Sequence, residues 1–181
     1  VSWSSGFGKA GTRTAAQAAA AAADAHRRIA DLPPGSIVVY TDGACRGNPG
    51  EAGSGAVVEL PDGRTIEASL ALGVATNNIA ELTAVALALD LLDKAGIAPD
   101  APAVVHTDSK YSEGVLCRGW KAKANVELIR GLKARLAARP GVRLQWLAGH
   151  VGVAGNERAD MLANRGVAGI TAEATRPPPA G

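Results

Sequence analysis

The chain is poor in aromatic residues: Phe, Trp and Tyr make up only 3% of its 181 positions. Ala, Val and Leu must therefore do most of the packing, within an apolar content of 47% that is ample for one core. It has only two cysteines, Cys45 and Cys117. Their spacing fits no metal motif and a single pair makes no disulfide framework, so both are expected to be reduced thiols of a cytoplasmic protein. No apolar run is long enough to span a bilayer, so no membrane partner is expected. The start, VSWSSGFGKAG, lacks a charged region followed by an apolar one, so no secretory signal is expected. Net charge is only +2, and bulk charge does not announce a polyanionic partner.

The distribution of charge says more. Arg118, Lys121, Lys123, Arg130, Lys133, Arg135, Arg139 and Arg143 stand against Glu127 alone in one stretch. Such a run suits a polyanion, and it equally suits a solvated helix face.

Three parts follow from composition. Residues 1–35 open with the Gly/Ser-rich SSGFGKAGTR, read as a flexible linker because the spacing of a phosphate-cradling loop is absent. The Ala-rich AAQAAAAAADAHRRIADL follows, helical by propensity but without a strong apolar stripe, and ends at Pro33-Pro34-Gly35. It is expected to be a helical or partly disordered extension. Residues 36–168 form the main domain. The tail, 169–181, is Pro-rich and expected to be disordered.

Within the domain, SIVVYTD reads as a buried strand, and GSGAVVEL and RTIEASLAL as a hairpin about Pro61-Asp62-Gly63. NNIAELTAVALALDLLDKAG has helical periodicity and stops at Gly96. APAVVHTD and VRLQWLAGH are further strands, interleaved with helices in SKYSEGVLCRG, NVELIRGLKARLAARPG and VAGNERADMLANRGVAG. The order β-β-β-α-β-α-α-β-α predicts an α/β fold, a mixed sheet with helices on its faces.

Four acids stand out in this frame. Asp42 follows the first strand and enters a stretch, GACRGNPG, whose Gly43, Gly47 and Gly50 read as a turn open to close approach by a substrate. Glu81 lies early in the long helix, and Asp108 ends VVHTD. Asp160 lies in the last helix, ten residues after His150 in a Gly-flanked loop where an imidazole can move protons. Each acid has an ordinary explanation as well. Glu81 sits at capping-box distance from Asn78, Asp108 can cap a helix, and Asp160 can pair with Arg158 or Arg165. Four acids at one point repel each other unless divalent cations bind them, so convergence would imply a metal-dependent enzyme.

TDGACRGNPG, TNNIAEL, TDSKY and GHVGVAGNERADMLA, in that order, closely resemble ribonuclease H of type 1, from about Ser36 to Val167. The resemblance implies a ribonuclease H-like fold: a five-stranded mixed sheet, three antiparallel strands then parallel additions, flanked by helices. It implies a metal-binding quartet of Asp42, Glu81, Asp108 and Asp160 around two Mg2+, with Mn2+ as a substitute, placed roughly 4 Å apart about a scissile phosphate. His150 would assist proton transfer or product release. The substrate would be an RNA–DNA hybrid, with its RNA strand cut to leave a 5′-phosphate and a 3′-hydroxyl, and the protein would act as a monomer.

The resemblance also implies RNA-hydroxyl contacts from Asn48, Asn77 and backbone groups near Cys45 and Asn78, and a DNA-phosphate grip from Thr76 and Asn125. The basic, Trp-rich handle of many members is reduced here to Trp120, Lys121 and Lys123, as in some bacterial and archaeal members. Lys110, expected among the nucleic-acid contacts, stands where a Gln is common, and Val74 where some members carry an Arg. A weakly catalytic or non-catalytic nucleic-acid-binding module of the same fold is the alternative from a different class.

Overall fold

The computed structural model describes residues 11–180, so most of the SSGFGKAGTR stretch lies outside the described residues. Six strands form one sheet: β1 (Ile37–Gly47), β2 (Gly50–Glu59), β3 (Thr65–Ala75), β4 (Ala103–Thr107), β5 (Val142–Trp146) and β6 (Ala172–Arg176). Their order across the sheet is β5-β4-β1-β2-β3-β6. β1, β2, β3 and β6 are antiparallel neighbours, and β4 and β5 join β1 in parallel.

The expected five-stranded sheet is therefore extended by β6, formed from the Pro-rich segment read as a disordered tail. Composition gave no apolar pattern there. What holds β6 is its ladder with Thr65–Ser69 of β3 and two ion pairs, Lys94–Glu173 and Arg176–Glu67.

Five helices cover the sheet: α1 (Ala15–Ala30), α2 (Asn77–Lys94), α3 (Lys110–Cys117), α4 (Val126–Ala137) and α5 (Ala154–Val167). The period-2 alternation of β1 assigns its two faces. Ile37 and Val39 enter the core shared with α2, α3 and α4, whereas Val38 and Tyr40 pack on the side of α1 and α5. α5 approaches β2 so closely that a Cβ on Gly55 would fall on the backbone of Ala159.

α1 does have an apolar stripe, built from small residues. Ala21 joins a buried cluster with Trp146 and Ala148, and Ala25 one that includes Tyr40, Leu147 and Val153. Thr14 and Gln17 close a capping box at its start.

Candidate active site

The segment after Asp42 does not turn where expected. β1 continues through it to Gly47, paired with β2, and the reversal falls at Asn48-Pro49. On the other side of β1 the pairing with β4 ends at Thr41 opposite Thr107. The strands are parallel there, so Asp42 and Asp108 leave that pairing side by side. Glu81 comes from the first turns of α2, which crosses above Gly43. A Cβ on Gly43 would fall on the backbone of Ala80 and Glu81, so only glycine lets α2 sit this low.

Asp42, Glu81 and Asp108 each offer a carboxylate oxygen, and all three atoms lie within 4.8 Å of one another. Asp160, half-buried on α5, lies outside that trio but close enough to raise both the Asp42 and the Asp108 carboxyls. The four acids thus converge.

Their ordinary roles have gone to other residues. Thr76, not Asn78, caps α2, accepting from Ile79 N at 3.2 Å. Ser109, not Asp108, caps α3, accepting from Ser112 N at 3.1 Å. Arg158 pairs with Glu67 rather than with Asp160, which accepts from Asn164 Nδ2 at 3.0 Å.

Charge repulsion and burial act together on the cluster. Burial first, then the charges of Asp108 and Asp160, push the Asp42 carboxyl up to about 9. Burial, then Asp42 and Asp108, raises Glu81 well above the carboxylate range. Burial also raises Asp108, against the lowering influence of His150. The Gly43 backbone N–H opposes the rise at both Asp42 and Glu81. Glu81 Oε2 is buried with no hydrogen-bond partner. An unsatisfied carboxylate oxygen beside two other carboxylates suits a divalent cation of hard character, for which oxygen donors are the natural ligands.

His150 is exposed, next to this cluster, with a left-handed backbone (φ 55°). Gly149 beside it is forced: a Cβ would fall on Asp108 Oδ2.

The other expected contact residues form two groups. At the β1–β2 reversal, Asn48 Oδ1 accepts from Asn77 N at 3.1 Å and Cys45 Sγ donates to Ala75 O, tying the reversal to the start of α2 where Thr76 and Asn78 lie. In the α3–α4 connection, Trp120 lies against Gly114 with half its surface exposed, and Lys121 lines a groove of about 510 Å3 with Trp120 and Lys133. Lys123 is exposed in the same connection, and Asn125 begins α4 with a left-handed backbone (φ 58°). Lys110 instead lies over the Trp146 ring, 4.9 Å from its centroid.

The basic stretch is weaker than its sequence. Arg118 pairs with Glu113, Arg130 with Glu127, and Arg135 and Arg139 with acids of α2.

Sequence reasoning missed Arg13, whose Nη1 donates to Gly149 O at 2.7 Å. Its setting in a Gly-rich stretch gave no signal. Gly43 was read as a turn residue, and its role as the seat of α2 appears only in three dimensions.

A mixed sheet of this order, with acids gathered where β1 and β4 leave their pairing, defines a class of α/β nucleases. The RNase H family model matches residues 34–168, and the chain belongs to that family. Among curated relatives, the Ribonuclease H of Janthinobacterium sp. (strain Marseille) is 44% identical over 144 residues, covering 72% of this chain and 95% of that protein. The Ribonuclease H of Herminiimonas arsenicoxydans is 42% identical over 144 residues, covering 72% of this chain and 94% of that protein. These relatives make the chain a nuclease of the hydrolase class.

Among solved structures, RNase H1 from Halobacterium salinarum NRC-1 aligns with a TM-score of 0.61 at 32% identity, covering 75% of this chain and 100% of that one. LC11-RNase H1, solved in complex with an RNA/DNA hybrid, aligns with a TM-score of 0.63 at 31% identity, covering 74% of this chain and 97% of that one. Among the described residues no helix is long and apolar enough to cross a membrane.

Proposed function

We propose that the chain is an endoribonuclease that hydrolyses the RNA strand of RNA–DNA hybrids with two bound Mg2+, leaving a 5′-phosphate and a 3′-hydroxyl. The observation that carries this reading is the convergence of Asp42, Glu81 and Asp108 within 4.8 Å, with Glu81 Oε2 buried and unpartnered. The hybrid bound by LC11-RNase H1 supports the substrate class.

In this reading Asp42 would be the shared ligand, Glu81 and Asp108 would help hold one ion, and Asp160 would help hold the other. Divalent cations there supply Lewis acidity at a phosphate and an activated water. The Gly43 N–H holds the Asp42 and Glu81 carboxylates in register, and β1 and β4 fix the separation of Asp42 and Asp108. His150, exposed beside Asp108, moves a proton or helps product leave. Cys45, Asn48, Asn77 and Asn78 face the RNA strand, Thr76 and Asn125 hold a DNA phosphate, and Trp120, Lys121 and Lys123 extend the contact. Backbone and hydroxyl contacts of this kind carry little base specificity. The protein acts as a cytoplasmic monomer, in keeping with its two free thiols.

A labelled RNA–DNA hybrid incubated with the full chain and Mg2+ tests the reading. Cleavage confined to the RNA strand, absent with EDTA and absent in Asp42→Asn, is expected. Binding without cleavage by the wild type would leave only a hybrid-binding module.

A further inference from the structure

The family match begins at residue 34, so α1 and the residues before it lie outside it. They nonetheless reach the loop that carries His150. Arg13 Nη1 donates to Gly149 O at 2.7 Å, a partly buried bond across 136 positions of sequence. The Thr14–Gln17 capping box fixes the backbone one residue further on. α1 then shares buried clusters with this loop and its flanks, Ala21 with Ala148 and Ala25 with Leu147 and Val153, and Val151 packs against both clusters.

We propose that Arg13 is a positioning residue for the active site, holding the Gly149 carbonyl and thereby setting the Gly149–Gly152 loop against Asp108. The proposal rests on the hybrid-cleaving reading above.

Two features of the loop make such a hold consequential. Gly149 touches the Asp108 carboxylate so closely that a Cβ there would collide with it, so a shift of the loop is a shift against an acid of the cluster. His150 is left-handed at φ 55° and Gly152 at φ 82°, and a residue with a Cβ rarely adopts that region unless its surroundings hold it there. β5 ends at Trp146 and α5 begins at Ala154, so the loop has no sheet or helix hydrogen bonds of its own.

The test compares the full chain with Arg13→Ala and Arg13→Lys, measuring kcat and KM on a labelled hybrid, amide hydrogen exchange and Tm. For Arg13→Ala, kcat is expected to fall about tenfold with KM within about twofold, since small misplacements at a reacting centre act on kcat. Exchange should quicken across 149–152 while β1 and α5 keep their protection, and Arg13→Lys should restore part of both. Unchanged kcat and unchanged loop exchange would overturn the proposal. A rise in KM alone would make Arg13 a substrate contact, and faster exchange throughout β1 and α5 would make it a general stabiliser; either result also overturns it. A wild type that cleaves no hybrid would defeat the functional reading only, because loop exchange still decides whether Arg13 holds the loop.

Discussion

Buried carboxylates in two regions of the molecule are handled in opposite ways. On β3, Glu67 is only 5% exposed and receives two guanidiniums, Arg158 from α5 and Arg176 from β6. On β1 and α2, Asp42 and Glu81 are equally buried, at 5% and 6%, and their neighbours are further acids. The protein supplies the counter-charge in the first case and withholds it in the second. Burying a carboxylate is costly in both, and the withheld charge leaves a cluster that could hold an outside cation. Exposure does not separate these acids; the sign of their neighbours does.

The contrast can be broken from either side. The largest effect should come from Asp42→Asn, which is expected to lower kcat on a hybrid on the order of 10^3-fold, as loss of a key electrostatic element does. Its Tm in EDTA at neutral pH should rise, because the wild type must take up a proton at this carboxyl in order to fold and an Asn need not. A lower Tm in EDTA would mean that Asp42 is structurally paired after all. Glu67→Ala should do the reverse. It leaves Arg158 partly buried without its partner and should cost about 3 kcal/mol in urea unfolding, while kcat stays within a few-fold.

The pH dependence of the metal-free protein sharpens the same point. The folded-state pKa of Asp42, about 9, lies above its unfolded value near 4. A raised carboxyl contributes stability that is complete below the unfolded pKa and is lost as pH climbs through the folded one. Stability in EDTA should therefore fall between about pH 4 and pH 9, and Mg2+ should remove most of that slope. A flat profile in EDTA would contradict the burial of an unpaired acid. The smallest effect is expected from replacing Lys121 and Lys123 together with Ala, which should raise KM a few-fold and flatten its salt dependence. No change in either would take these lysines out of the substrate path.

Much of the site was legible because local chemistry and chain order agree. Strands ending in an acid placed Asp42 and Asp108 together, and the periodicity of α2 placed Glu81 on its first turns. What sequence left open was competition between local partners. Asn78 and Glu81 have capping-box spacing, yet Thr76 takes the cap. Asp108 can cap a helix, yet Ser109 does. Nothing short of the fold says that Arg158 reaches across to Glu67, 91 residues away, instead of to Asp160. The same holds for α1: an Ala-rich run shows no apolar stripe until Trp146, Ala148 and Tyr40 define which of its methyl groups are inside. β6 was illegible for a different reason, since it buries little and is held by backbone pairing and two ion pairs.

That last strand decides how the sheet meets other molecules. Without β6, residues Thr65–Ser69 of β3 would present a row of unpaired backbone donors and acceptors, a template on which a second chain can add its own strand. With β6 in place the outermost strand is short, all five of its residues are exposed, and it carries Glu173 and Arg176. Short, charged edges of this sort are poor templates for further pairing. The segment read from its composition as a disordered tail thus covers the β3 edge and offers a poorer template for self-association in its place.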